Sequence, residues 1–301
     1  MPDQNATDAN LTDVIAALPC WTGAVEINAL GGGLTNRNFR VSDRRGQMFV
    51  VRLGRDLPEH GVLRSNELAA ARAAYAVGIA PQVIYAAEGV MVSRFVAGSS
   101  LAPEQLRDPR MLARVAALLR RCHCEIPDYL EGAAVKFDVF QVIRSYLQLL
   151  AVREAAGSID RSADAARAER LEHKLGVLNG GFAHNDLLAA NLIDDGERLW
   201  LIDWEYAGFN TPLFDLANLA TNNELSAEHE TSLLESYFGA PVAIATRRAL
   251  AALQCASLLR ETLWAAVSAL SSSVEFDYQR YREQYRRRFE ICWQQFDGRD
   301  G

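Results

Sequence analysis

His184-Asn185-Asp186-Leu187-Leu188-Ala189-Ala190-Asn191 leads into the apolar run Leu199-Trp200-Leu201-Ile202, which ends at Asp203, and the reading of this stretch decides the fold. Moving a phosphoryl group from ATP to an alcohol needs a carboxylate at the attacking hydroxyl, and Asp186 supplies one from a loop. It also needs oxygen ligands for Mg²⁺, a hard cation. Asn191 and Asp203 offer them from the two sides of one hairpin, turned at Asp194-Asp195-Gly196. Any one of these residues alone is more simply a hairpin cap, but all three in this order within an apolar frame point to chemistry. Asp186, Asn191 and Asp203 are therefore the catalytic candidates, the last two as metal ligands. Glu205 falls on the same side as Asp203 if the strand continues, which makes it a third candidate metal contact. His184 is expected to brace the loop.

Upstream, strands are expected over 25–30, 38–41 and 48–53, with a glycine-rich break at Gly31-Gly32-Gly33. A helix over 65–77 capped by Ser65 and ended by Gly78 follows, then strands over 82–86 and 90–95. The break at Gly33, with Thr35 and Asn36 behind it, lets backbone and side-chain donors approach phosphate oxygens. It is neither a Walker A loop nor a dinucleotide fingerprint, because no Gly-Lys-Ser/Thr follows and no helix opens after it. A phosphate site also wants a cation on the third strand, yet Lys136 and Lys174 are the only lysines in the chain. The cation must be an arginine, and Arg52 sits on that strand among apolar residues, where an unpaired guanidinium is costly. Glu67, early in the next helix, is placed to be its partner.

Beyond Gly98-Ser99-Ser100 the composition turns to Ala, Leu and Arg with helical periodicity, as over 109–122, 137–155 and 163–178. Two units are expected. Residues 1–97 form a nucleotide-binding β-rich lobe behind a short N-terminal helical segment, and residues 98–301 a helical lobe carrying the catalytic loop and substrate pocket.

The chain has 301 residues, half of them apolar, and a formal charge of −7, enough to bury a large core and too acidic for non-specific nucleic-acid binding. An anionic surface favours a cationic substrate. The odd cysteine count, the absence of a leader and the lack of any membrane-length apolar run point to a cytoplasmic protein with reduced thiols and no membrane partner. Cys122-His123-Cys124 lacks a second ligand pair and reads as a helix end with ordinary thiols.

The segments His184-Asn185-Asp186-Leu187-Leu188, Ile202-Asp203-Trp204-Glu205-Tyr206-Ala207-Gly208 and Phe214-Asp215-Leu216-Ala217-Asn218 resemble the choline/ethanolamine kinase family, bacterial members above all. So does the stretch from Leu263-Trp264 through Ser271-Ser272-Ser273-Val274-Glu275-Phe276-Asp277-Tyr278. The family lies within the aminoglycoside-phosphotransferase-like group. The resemblance implies an α+β, bilobal, protein-kinase-like fold with a small antiparallel N-lobe sheet, one main helix and a large helical C-lobe. It implies ATP and Mg²⁺ as cofactors and a small-molecule alcohol, choline or ethanolamine, as acceptor. Arg94, Phe95 and Val96 fall at the hinge, where backbone groups meet adenine, and Asp215 braces the catalytic loop. Trp264 and Tyr281 match two positions of an aromatic cage for the ammonium group. Tyr281 also belongs to a stripe with Tyr278, Tyr285, Phe289, Cys292 and Phe296, most of which must be core. Where eukaryotic members carry a further cage tryptophan this chain has Glu261, and where they carry a cage carboxylate it has Asn222, so Glu261 or Glu224 supplies the negative charge instead. An aminoglycoside or thiamine kinase shares the ATP site and differs in the helical half. A nucleotide-binding regulator without catalysis is the rival from another class.

Overall fold

The computed structural model describes residues 8–31, 35–132, 135–153, 160–176, 178–272 and 274–298. After helix α1 (Asp8–Ala16), strands β1 (Glu26–Leu30), β2 (Arg37–Ser42) and β3 (Met48–Leu53) run as an antiparallel meander. Helix α2 (Arg64–Ala76) precedes the hairpin of β4 (Val83–Ala87) and β5 (Val90–Arg94). β5 pairs with β3, giving the order β1-β2-β3-β5-β4. The two-residue alternation of β3 sends Phe49, Val51 and Leu53 inward onto Leu11 and Ile15 of α1. The same alternation turns Arg52 to the opposite face.

The chain then crosses to β6 (Ser99–Ser100), which pairs with β8. Gly98 is required at this crossing, because a Cβ there would lie 2.6 Å from the Asp194 carbonyl oxygen. Helices α3 (Pro109–Glu125), α4 (Val139–Val152) and α5 (Arg161–His173) follow. Next come β7 (Gly181–Ala183), the hairpin β8 (Leu192–Asp194) and β9 (Leu199–Leu201), and β10 (Gly208–Asn210). The chain ends in α6 (Pro212–Asn222), α7 (Ala227–Phe238), α8 (Ile244–Ser271) and α9 (Tyr278–Asp297). This is the α+β architecture expected, a small antiparallel sheet with one main helix beside a helical remainder.

Two details depart from expectation. Ser65 does not cap α2: the helix starts at Arg64, whose N–H is taken by Asp56 Oδ1 at 2.7 Å from the preceding loop. α4 and α5 are shorter than their periodicity suggested. Asp138 caps one at Phe140 N, 3.0 Å, and Asp160 caps the other at Ala163 N, 3.0 Å, while α5 stops ahead of Gly176 at φ 65°.

The core divides unequally. The sheet and α1 bury a small cluster around Phe39, Val41, Phe49, Val51 and Val92. α2 joins the large helical core instead, through Ala70, Ala71, Ala73, Ala74 and Val77. Small alanine side chains permit that close approach, and Asn66 seals it by donating to Ala207 O at 2.8 Å. Among the described residues no helix is long and apolar enough to cross a membrane.

Candidate active site

The loop from His184 to Asn191 is held from below by α6. Asp215 Oδ2 accepts from His184 N at 2.8 Å and from His123 Nε2 at 3.0 Å, and Oδ1 accepts from Asn185 N at 2.7 Å. Burial alone would raise the Asp215 carboxyl, but these donors outweigh it and hold the carboxyl below the usual range. Asn218 Oδ1 takes Leu187 N at 2.5 Å and Asn223 Oδ1 takes Ala189 N at 2.8 Å. Thus N–H groups of the loop that lie outside regular helix or sheet find side-chain acceptors along α6 and at its C-terminal cap. Asn185 adopts φ 67° and Asp203 φ 71°, left-handed conformations that persist because these contacts over-determine them. His184 rests against Trp204 with ring centroids 4.9 Å apart, and its Nε2 lies 2.9 Å from Ile202 O, which ties the loop to the end of the hairpin.

Across the cleft stands a chain of ion pairs. Arg52 Nη1 bonds Glu67 of α2 and, at 2.7 Å, Asp203 Oδ1. Burial would raise the Asp203 carboxyl, but Arg52 pulls it below its ordinary value. Arg64 Nη1 bonds Glu67 Oε2 at 2.6 Å and Glu205 Oε2 at 3.0 Å. Glu205 also accepts from Thr35 Oγ1 at 2.9 Å and lies 3.4 Å from Asn36 Nδ2. Glu205 is thus gripped by the segment behind the glycine-rich break, and Thr35 and Asn36 direct their side chains to a carboxylate. Burial, with Asp203 adding to it, pushes Glu205 up to about 7. Asn191 donates through Nδ2 to Asp186 O at 3.0 Å, which leaves its amide oxygen for another partner. Gly33 lies outside the described residues.

At the crossing between the sheet and the helical part, Arg94 N donates to Gln82 O at 2.9 Å and Phe95 N to Met48 O at 3.0 Å. Val96 O accepts from Gly98 N at 3.0 Å. Among the described residues, Phe95 C=O and Val96 N–H carry no hydrogen bond, so one acceptor and one donor stand side by side. The Arg94 guanidinium lies over the Phe49 ring, 5.1 Å from its centroid.

On the other side of Asp186, α8 presents Arg260, Glu261 and Trp264. Arg260 is 1% exposed, its Nη1 lies 2.7 Å from Glu261 Oε1 and 3.7 Å from Asp186 Oδ1, and its guanidinium stacks on Tyr206 at 4.7 Å. Glu261 Oε2 accepts from Tyr281 OH at 3.0 Å. Trp264 donates to Tyr206 OH at 3.1 Å, and its ring meets Tyr281 at 5.7 Å and Tyr278 at 6.0 Å. Trp264, Tyr281 and Glu261 are therefore one cluster. Glu224 is not part of it, being exposed and 3.9 Å from Arg288. The Asp186 side chain keeps 20% of its surface open, yet burial pushes its carboxyl up to about 8; Arg260 opposes this, while Glu261, Asp203 and Glu205 add to it. A cavity of about 1290 Å³ opens between the sheet and α8, lined by Arg52, Glu67, Asp56, His60, Trp264 and Tyr278 among others. Asp186, Asp203 and Glu205 are not among its lining residues.

Sequence reasoning missed Arg64 and Arg260. A charged pair inside the apolar run Leu258-Leu259-Arg260-Glu261-Thr262-Leu263 was the available signal for Arg260, since a cation so placed needs an anion. Arg64 sits at a helix start and carries no such signal. Cys122, His123 and Asp215 place their ligand atoms within 4.8 Å of one another, but the His123 ring is spent on Asp215 and on Tyr237 OH, 2.7 Å away.

The family model described as Choline/ethanolamine kinase matches residues 27–235. The Protein LicA of Haemophilus influenzae is 31% identical over 214 residues, covering 68% of this chain and 61% of that protein. Ethanolamine kinase 2 of Mus musculus is 29% identical, covering 62% of this chain and 50% of that protein. The chain thus aligns with about half to three-fifths of the length of these two relatives. A crystal structure of a choline/ethanolamine kinase family protein from Mesorhizobium loti superposes with a TM-score of 0.74 at 28% identity, over 94% of each chain. With the family match spanning the sheet, the loop from His184 to Asn191 and α6, this chain belongs to the choline/ethanolamine kinase family.

Proposed function

We propose that this chain transfers the γ-phosphoryl group of ATP to the hydroxyl of a small amino alcohol, choline or ethanolamine. The observation that carries the reading is the position of Asp186, its carboxylate 3.7 Å from Arg260 Nη1 and its backbone oxygen accepting from Asn191 Nδ2 at 3.0 Å. Asp186 orients the acceptor hydroxyl and takes its proton as the new O–P bond forms and the bond to the leaving ADP breaks. Residues 1–97 hold the nucleotide: Phe95 C=O and Val96 N–H meet adenine beside Arg94, and Arg52, fixed by Glu67, faces the phosphates. Thr35 and Asn36, just after the glycine-rich break, stand on the phosphate side beside Glu205. The oxygens of Asn191 and Asp203 suit a hard divalent ion, with Glu205 behind them; when bound, Mg²⁺ neutralises phosphate charge. Residues 98–301 hold the acceptor. Trp264 and Tyr281 offer ring surface and Glu261 offers charge to the ammonium group, while Glu224, turned to Arg288, takes no part.

A coupled ADP-release assay over ethanolamine, choline, thiamine and aminoglycosides tests this. Turnover is expected on ethanolamine or choline, reduced by about 10²- to 10⁴-fold in Asp186→Asn. Undiminished turnover in that variant removes the base and the reading with it.

A further inference from the structure

His60 lies on the β3–α2 connection, in a single 3₁₀ turn (Pro58–His60) ended by Gly61 at φ 69°. Paired backbone bonds between Leu57 and Val62, at 2.9 and 3.1 Å, close this connection into a finger. The finger crosses the cleft. His60 is buried at 7% exposure among residues of the helical part: Nδ1 lies 3.0 Å from Tyr146 OH on α4, and Nε2 lies 3.2 Å from Ser268 Oγ on α8. Its ring packs against Tyr146 at 5.6 Å and against the Trp264 indole at 5.8 Å.

Ser268 follows Trp264 by one helical turn, so the bond to Ser268 grips the face of α8 that carries the indole. At its other end the finger is anchored by Arg64, whose N–H bonds Asp56 and whose Nε bonds Arg55 O at 2.9 Å. Arg64 is also the residue that reaches Glu67 and Glu205. His60 and Trp264 line the same cavity as Arg52 and Glu67. A buried histidine with both nitrogens engaged is most simply a piece of core. Here the ring forms one wall against an indole whose other ring and hydrogen-bond neighbours are Tyr206, Tyr278 and Tyr281, and among the described residues His60 makes the ring contact to it from the sheet side.

We propose that His60 is a positioning residue of the acceptor pocket, by which the sheet-side connection fixes the Trp264 indole across the cleft. The inference rests on the amino-alcohol kinase reading above. Burial holds the ring neutral, with its pKa lowered to about 4, so both hydroxyl contacts persist at neutral pH.

The test measures kcat and both KM values for His60→Phe, which keeps the ring and removes its nitrogens, and for Tyr146→Phe and Ser268→Ala, which each remove one hydroxyl. The expected result is an acceptor KM raised about tenfold in His60→Phe and about threefold in the other two, with the KM for ATP within about twofold of the parent throughout. Should His60→Phe fail to fold, Tyr146→Phe and Ser268→Ala decide. An acceptor KM that stays within about twofold, or an ATP KM that rises by the same factor as the acceptor KM, overturns the role of His60. Absence of turnover by the parent protein on every amino alcohol overturns the underlying reading and this one together.

Discussion

Arg260 Nη1 stands 3.7 Å from Asp186 Oδ1, joining the middle of α8 to the loop from His184 to Asn191. The guanidinium lowers the carboxyl of Asp186, but burial wins and leaves it near 8. A base works only when ionised. Acceptor kcat/KM should therefore rise with pH up to about 8 and level above it, a limb that a rate profile of the free enzyme reads directly. Asp186→Asn should lose both the limb and most of the rate.

Arg64 is the cation nearest Glu205, and Asp203 and burial both work against keeping that carboxylate ionised. Arg64→Met should shift Glu205 above its value of about 7, so that it is protonated at neutral pH. The sign is upward because a stabilising positive charge is removed. A Mg²⁺ titration of activity at pH 7 should then require roughly fivefold more metal, because a rise of about one pKa unit cuts the ionised fraction from about a half to about a tenth. Thr35→Val removes only a neutral donor and should move the titration less.

Asp215 accepts two backbone N–H groups and a histidine within a fully buried site. Asp215→Ala leaves those donors without partners and should cost about 3 kcal/mol in chemical denaturation. Because its folded pKa is depressed, the stability it contributes is complete above the ordinary carboxylate range. It is lost as pH falls through the folded value. The parent protein should therefore lose stability on acidification more steeply than Asp215→Asn does, and a series of denaturation curves from pH 7 downward shows whether it does.

Ala74 is completely buried where α2 meets the helical core. Ala74→Leu adds volume at a close helix contact and should destabilise by about 1–3 kcal/mol. If α2 belonged energetically to the sheet alone, the same change would leave the unfolding of the helical part, followed by tryptophan fluorescence, where it was.

Much of the site was legible because its signals are local. The alternation of β3 fixed which face Arg52 takes, and the absence of lysine before Lys136 made an arginine the only cation available there. Arg52 and Glu67 do meet, as their order suggested. Thr35 and Asn36 were legible only as polar donors after a glycine break; that they turn to Glu205 depends on a residue 170 positions away. Ser65 looked like a helix cap, and Asp56 took part of that work from a loop whose path no periodicity describes.

The sequence by itself determined the class of fold and the order of the candidate groups along it, because strand alternation, turn chemistry and the spacing around Asp186 act within a few residues. Tertiary structure alone decided how the charges are shared. Arg52 bridges Glu67 and Asp203, Arg64 bridges Glu67 and Glu205, Arg260 lies between Glu261 and Asp186, and His60 reaches Tyr146 and Ser268. The physical reason is that a buried polar group takes whichever partner packing brings to it, and packing is settled by the meeting of whole elements, such as the alanine face of α2 against the helical core.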